Sequence, residues 1–323
     1  MAREYGLHED PVERARNQIC IFRNESFRDS LHRIVREPLR KMGRNDRFIG
    51  PALLCLKYGR TPYFIAKCCA YGFFYRAADD PPQSCRVARS VIFGKVYNAR
   101  WSVERTRRDH ALRIDEARFS TVSEQLQRLL PQIMRETSLD SLRGHEGTGA
   151  AAYFSVLDEM ILQGKETFFF RERSRRPPLD AFNALLSFAY ALLAHDYASA
   201  LESVGLDAYV GYLHRDRPGR ESLALDLMEE LRPCFADRFV LTLINNRTLK
   251  ASDFDFRESG AVLLTDAGRR AFLSKWQERK KEIITHPFLE EKLPWGLVPY
   301  VQSLLLARYL RGDLDEYPPF LWK

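Results

Sequence analysis

From about Gln83 onward, apolar residues recur three and four positions apart, the spacing that lines one side of an α-helix. Residues 83–107 predict a first helix, with Val87, Val91, Val96, Trp101 and Val103 on or near its apolar stripe. A second is predicted near 115–136 from Leu126, Leu129, Leu130, Ile133 and Met134, and a third after Gly147 through Tyr153, Phe154, Leu157 and Ile161. Pro177-Pro178 breaks the pattern. A long helix is then predicted over 180–203, another from about Ser222 to Ile244, and two more near 266–284 and 296–311. Only Phe254 to Leu264, alternating around Ser259-Gly260, predicts a small β-hairpin. The expected fold class is mainly α, a multi-helical domain over residues 77–323.

Residues 1–76 read differently. Neither a helical nor a strand period persists there, arginine outnumbers lysine 12 to 3, and Val12 and Val35 are the only valines. Two regions are therefore expected: an atypical N-terminal segment over 1–76, which should pack poorly, and the helical domain over 77–323.

Charge follows the same division. The chain carries +7, and residues 1–76 hold 15 of its 50 Lys and Arg and 8 of its 43 Asp and Glu. That leaves 35 residues of each sign in the rest, so nucleic-acid binding by the helical domain must rest on local basic clusters. Six cysteines form no C-x-x-C pair and no regular framework, which fits reduced thiols and a cytoplasmic protein. No apolar run approaches the roughly 18 residues of a membrane helix, and the start has no apolar signal-peptide core. No membrane partner is expected.

Candidate chemistry is concentrated in three segments. Gly144-His145-Glu146-Gly147 offers an acid, the loop Gly205–His214 delivers a histidine, and the predicted helix beyond it carries Asp226 and Glu229 one turn apart. Oxygen ligands completed by a neutral imidazole suit a hard divalent cation. Each signal has a plainer reading alone: a solvated acidic face for Asp226 and Glu229, a structural His214, and a helix-start acid for Glu146. Arg171, Arg173, Arg175 and Arg176, with Arg215, Arg217 and Arg220 beside His214, could track phosphates bidentately or simply be solvated. Phe168-Phe169-Phe170 reads as core rather than a base-stacking platform.

The order and wording of these segments resemble one family over about three quarters of the chain. Gly94-Lys-Val-Tyr-Asn-Ala-Arg-Trp101, Arg143-Gly-His-Glu-Gly147 with Tyr153-Phe154, Arg175-Arg-Pro-Pro-Leu-Asp180, Asn183-Ala-Leu-Leu-Ser187, Gly205–Pro233 and the closing Leu310–Lys323 are similar to the CRISPR-associated endonuclease/integrase family. That family is the "protein one" of spacer acquisition, and the resemblance is to its type I-C form. The resemblance implies a helical catalytic domain binding Mg²⁺ or Mn²⁺, with Glu146, His214 and Glu229 on the family's metal ligands. Asp226 falls on the accompanying acid, a ligand or a group just behind one, and Asn183 on an asparagine near the site. His145 stands where relatives carry an aliphatic residue and is not assigned as a ligand. Implied partners are DNA (prespacer and CRISPR repeat), a second copy of the chain in a homodimer, and a small "protein two".

The implied activity is insertion of spacers into CRISPR arrays by phosphodiester transesterification, with associated nuclease activity. Two rivals remain: a catalytically inactive DNA-binding remnant, and a helical interaction protein without metal. Members of the family begin with a small β-rich domain that builds the dimer and helps dock the partner; residues 1–76 do not resemble it. A reading frame shifted upstream of about residue 77 and a divergent domain are the two accounts of that difference.

Overall fold

Three helices packed on one another build the first part of the domain. The computed structural model describes residues 77–215 and 217–323; the expectations placed on residues 1–76 lie outside them. Helix α1 (Pro81–His110) opens on two prolines, tolerated there because first-turn N–H groups have no helical acceptor. Its buried Val87, Val91, Val96 and Val103 face α2 (Glu116–Arg135) and α3 (Leu139–Ser155). The Asp115 carboxylate caps α2 by accepting from the Arg118 N–H at 3.1 Å, and Ser138 caps α3.

Helix α3 starts eight residues ahead of the predicted boundary, so Glu146 lies mid-helix and not at its start. Gly144, Gly147 and Gly149 disguised the helix, since each costs roughly 1 kcal/mol relative to alanine. The Ser138 cap and the buried Leu142 and Tyr153 hold it.

Helix α4 (Ala181–Val204) begins on Asp180, whose carboxylate accepts the Asn183 N–H at 2.6 Å, and closes on Gly205 at φ +85°. By length and composition this helix is apolar enough to cross a membrane, contrary to the expectation from continuous apolar runs. Here it is a core helix, packed against α5 (Ser222–Met228), α6 (Arg238–Asn245) and α8 (Val298–Leu310). Its Asp196 pairs with Lys280 at 2.7 Å.

The predicted helix over 222–244 is three pieces. α5 ends at Met228, a π-helical turn spans Arg232–Asp237, and α6 follows. Pro233 explains the break: it lacks an N–H, and its ring crowds the carbonyl four residues back, that of Glu229. The expected hairpin is present as β1 (Phe254–Phe256) and β2 (Val262–Leu264), antiparallel with Asp255 opposite Leu263.

After α7 (Asp266–Lys281) comes a second hairpin, β3 (Ile283–Thr285) with β4 (Lys292–Pro294), which three-residue strands left invisible to periodicity. Phe235, Phe239, Phe272, Trp276 and Trp295 form an aromatic cluster with ring centroids 4.9–5.1 Å apart in its closest pairs, tying α6, α7 and the π turn together. Phe168 and Phe170 are buried, as the core reading expected.

The C-terminal tail is strapped across α1. Buried Asn98 donates through Nδ2 to the carbonyls of Glu230 and Phe320, both at 2.7 Å, and its Oδ1 accepts the Trp322 N–H at 2.8 Å. Glu230 Oε2 in turn accepts from the Phe320 N–H at 2.9 Å and from Gln302 Nε2 at 2.8 Å.

Candidate active site

Asp226 organises the loop that carries His214. It is 1% exposed, and its two oxygens take four donors from one short stretch. Oδ2 accepts the N–H groups of Tyr212 (2.7 Å) and Leu213 (2.9 Å), while Oδ1 accepts that of His214 (3.0 Å) and lies 2.5 Å from His214 Nδ1. Gly211 makes the tight approach possible, because a Cβ there would stand 2.7 Å from Ser222 Cβ and 2.8 Å from the His214 carbonyl. From the other side, the Arg143 guanidinium of α3 donates to the Leu213 carbonyl at 2.7 and 3.1 Å. A histidine whose Nδ1–H is held by a carboxylate presents Nε2 as its free lone pair, the arrangement of many metal-ligating histidines.

Glu229 caps the end of α5 and is also buried, at 3% exposure. Both acids are thus inside the domain, which excludes the solvated-face reading. Glu229 Oε1 pairs with Arg232 at 2.9 Å, and Lys95 of α1 lies 2.7 Å from Oε2. Burial alone would raise the Glu229 pKa, but Arg232, Lys95 and His214 more than reverse it and hold the carboxyl ionised, down to about 2. Oε2 is buried and faces the Lys95 ammonium.

The same ammonium donates to Glu146 Oε1, so Lys95 bridges the acids of α3 and α5. The structure thereby brings Glu146 and Glu229 to one cation, with His214 in the electrostatic field of Glu229. Among the described residues no three His, Cys, Asp or Glu side chains stand in metal-holding geometry. Lys95 accounts for this between the two acids, where its charge offsets their repulsion. The donor set (two carboxylates and an oriented imidazole) fits a hard divalent cation.

A cleft beside these groups is lined by Lys95, Glu146, Arg173, Arg175, Arg232 and Asp237. Tyr190 donates to Asp237 Oδ1 at 2.6 Å, and the guanidinium of Arg232 lies 4.7 Å from the Tyr190 ring centre. Burial raises Asp237 to about 6 despite that hydrogen bond and the nearby arginines. Asn183, whose role the sequence left open, is a clamp: it donates to Asp180 Oδ2 (2.6 Å) and the Glu172 carbonyl (2.8 Å), and accepts from Arg173 (2.7 Å).

The other predicted arginines are spread around this cleft. Arg173 is half-buried and bonded to Asn183 and Ser187, Arg175 lines the cleft, and Arg171 and Arg176 are exposed. Arg215 and Arg217 are exposed beside His214, and Arg220 is half-buried. His145 turns to Glu136, 3.5 Å away. Sequence reasoning missed Lys95, Arg232, Tyr190 and Asp237. A lysine in the middle of an otherwise apolar stripe of α1 was the available signal for the first.

This architecture has relatives. Residues 73–278 match the family model described as "CRISPR associated protein Cas1". A "CRISPR-associated endonuclease Cas1 2" of Rhodospirillum rubrum is 54% identical over 254 residues, covering 77% of this chain and 73% of the relative. The chain belongs to the CRISPR-associated Cas1 family. Among solved structures, a "Casposase bound to integration product" shares the fold at TM-score 0.68 and 22% identity, covering 82% of this chain and 74% of that one. A chain of a "Partial Cas6-RT-Cas1--Cas2 complex" matches at TM-score 0.68 and 21% identity, covering 81% of this chain and 75% of that one. The mainly helical fold of this Cas1-family chain and its character as an endonuclease agree with those relatives.

Proposed function

We propose that this chain is a metal-dependent DNA endonuclease and integrase that inserts spacers into CRISPR arrays. Glu146, His214 and Glu229 hold the metal, and Asp226 orients His214. The observation that carries this reading is Glu229: a buried, ionised carboxylate that shares the Lys95 ammonium with Glu146 and lies in the field of a carboxylate-oriented histidine. Their donor chemistry favours Mg²⁺ or Mn²⁺. A bound metal supplies Lewis acidity, lowering the pKa of an attacking hydroxyl and neutralising charge on phosphoryl oxygens.

In the reaction a prespacer 3′-hydroxyl attacks a phosphodiester at the repeat edge. One P–O bond forms as another breaks, and the proton lost by the attacking hydroxyl is balanced by one gained by the leaving 3′-oxygen. The chain's own contribution is positioning. Asp226 keeps the proton on Nδ1 and so presents Nε2; Arg232 and Lys95 hold Glu229 charged; the arginines at 171, 173, 175, 176, 215, 217 and 220 meet the DNA backbone. The partners are DNA, a second copy of the chain, and the small protein Cas2. The subtype in this reading is type I-C, on the resemblance of the sequence motifs alone. Residues 77–323 form the catalytic region in this reading, and residues 1–76 a separate atypical segment.

Calorimetric Mn²⁺ titration and integration of a labelled prespacer into a repeat-containing plasmid test the reading together. The wild-type chain should bind Mn²⁺ and integrate, and Glu146→Gln should lose both while staying folded. Full integration by Glu146→Gln would remove that residue from the mechanism.

A further inference from the structure

A second, larger cleft opens between the C-terminal end of α1 and the face of α6, with an open volume of about 330 Å³. It lies beyond the π turn from the metal-ligand candidates: Ser102 at its edge donates to the Pro233 carbonyl at 3.2 Å, and Pro233 lines the first cleft. Arg105, Arg113 and Arg238 line it, with Ser102, Thr106 and Thr242 among the hydroxyls. On a helix of 3.6 residues per turn, Ser102 and Thr106 share the face of Lys95, so the cleft sits about 10–17 Å further along the same side of α1.

Its charge is not balanced from within. One acid, Asp109, lines it beside three arginines and lies in the field of Arg105, but its carboxylate is held by Arg108, and the neighbouring Glu104 is paired with Arg107. Arg105 and Arg238 instead flank the Trp322 ring, at 4.4 and 4.7 Å from its centre. Arg238 is half-buried, its Nε has no hydrogen-bond partner, and burial and then Arg105 and Arg279 push its pKa down to about 10. Among the described residues no carboxylate pairs with Arg105 or Arg238. Like charges held together in a half-buried cleft are stabilised by an incoming anion, and guanidinium forks match phosphate oxygens best; the hydroxyls of Ser102, Thr106 and Thr242 already donate to backbone carbonyls, so the arginines supply the donors.

We infer that the cleft bounded by Arg105, Arg113 and Arg238 is a phosphate-binding site that takes a backbone phosphate of the DNA away from the reacting bond. The occupant rests on the DNA-handling reading above; the anion site itself rests on the cleft. Its function is to anchor the strand, so it changes affinity and leaves the metal site alone. Trp322, between two of the guanidiniums, is the built-in reporter.

The test titrates the full chain with inorganic phosphate and with a 20-nucleotide single-stranded DNA while tryptophan emission is followed. Trp322→Phe assigns the signal, since the chain holds three other tryptophans. DNA should give a saturable change absent from Trp322→Phe. Arg105→Gln should weaken DNA binding about five-fold and lower the slope of log affinity against log salt by about 1. Its Mn²⁺ affinity and melting temperature should match the wild type, which separates anchoring from folding; Arg113→Gln serves as the second, exposed variant.

If phosphate saturates the signal and DNA does not compete with it, the DNA occupant is overturned and a free phosphate takes its place. If phosphate saturates the signal and the wild type binds no DNA anywhere, the proposed function fails and the anion site stands. Unchanged DNA affinity and salt slope in both variants, with no phosphate response, would overturn the site.

Discussion

Asp226 and Glu229 lie at the end of a short buried helix where almost every polar neighbour is engaged, whereas Glu146 stands on α3 between two glycines with open space beside them. Asp226 takes four hydrogen-bond donors, and Glu229 is flanked by Arg232 and Lys95. Glu146 has a 31% exposed side chain, and the contacts found for it are to Lys95. The difference has a physical sense. Buried carboxylates and the half-buried histidine that one of them holds must be fixed in advance, because reorganising them later would strand charges inside the domain. An acid at the rim can swing toward a cation or a phosphate at little cost. One half of the site is preorganised and the other adjusts.

The sharpest way to break this comparison is to remove the adjustable half. Glu146→Gln should reduce strand transfer by more than about 100-fold, the upper range for groups that merely support a ligand. Its melting temperature should stay close to the wild type because the side chain is partly exposed. A large fall in melting temperature would show Glu146 to be as structural as Asp226.

Removing the fixed half should act through folding as well. Asp226→Ala leaves the N–H groups of Tyr212, Leu213 and His214 without their acceptor, at a cost of about 1–3 kcal/mol for each that stays dry. Asp226→Asn keeps the volume but can no longer accept on both oxygens. It should lower metal affinity about 10- to 100-fold with a smaller loss of stability. Calorimetric metal titration beside thermal denaturation separates the two effects, and equal metal affinity in Asp226→Asn would remove the orienting role.

How much of this was legible follows the same division. The long helices were readable for two reasons: α2 and α7 each bury one periodic stripe, and α1 and α4, buried all round over part of their length, carry apolar residues through many turns. The hairpin at 254–264 was readable from its alternation about Gly260, at φ +79°. The start of α3 was not, since its glycines argue locally against helix and only the Ser138 cap and tertiary burial override them. Nor was the π turn, where Pro233 forces a local answer that periodicity does not encode.

In the site, ligand-type residues stood out by spacing and family wording, while their partners did not. Lys95 and Arg232 reach Glu229 from α1 and from the π turn, and only the fold reveals that convergence.

Lys95 itself gives the third test. Lys95→Met removes the cation between Glu146 and Glu229, so the pKa of buried Glu229 should rise from about 2 toward or above the usual carboxylate range. The sign for stability follows from that depressed value. The contribution of ionised Glu229 is present above the unfolded pKa of roughly 4.5 and is lost as pH falls toward 2. Lys95→Met should therefore melt lower at pH 7, gain more than the wild type on adding Mn²⁺, and lose less between pH 4.5 and 2. An unchanged response to Mn²⁺ would show that Lys95 and the metal do not share these acids.

A fourth test lies outside the site. His286, 0% exposed at the tip of the second hairpin, accepts at Nδ1 from the Phe288 and Leu289 N–H groups and donates through Nε2–H to Gln302. Burial lowers its pKa to about 4. The unfolded chain binds the extra proton between about pH 6.5 and 4, so stability contributed by neutral His286 is lost as pH falls through that window, on the order of 3 kcal/mol in full. A melting-temperature series should show this loss in the wild type and a flatter acid limb in His286→Gln. Parallel limbs would assign the acid loss to other groups.

The smallest expected effect bears most directly on why α3 is built as it is. A Cβ added at Gly144 or Gly147 meets nothing within 4 Å, so neither glycine is required by packing or by an unusual φ. In an ordinary helix each Gly→Ala change should stabilise by about 0.5–1 kcal/mol by restricting the unfolded chain. That amounts to a rise of roughly 2–4 °C in melting temperature for a domain of this size. If the open face of α3 is where a DNA strand passes close to Glu146, the same changes should weaken DNA binding and strand transfer even as they stabilise the fold. Gly149 is the internal control, because a Cβ there would press on Val96 at 3.1 Å and its alanine variant should not gain stability. Stabilisation of Gly144→Ala and Gly147→Ala with unchanged strand transfer would mean that the space beside Glu146 is not used by the substrate, and that the adjustable half of the site owes its freedom to the side chain alone.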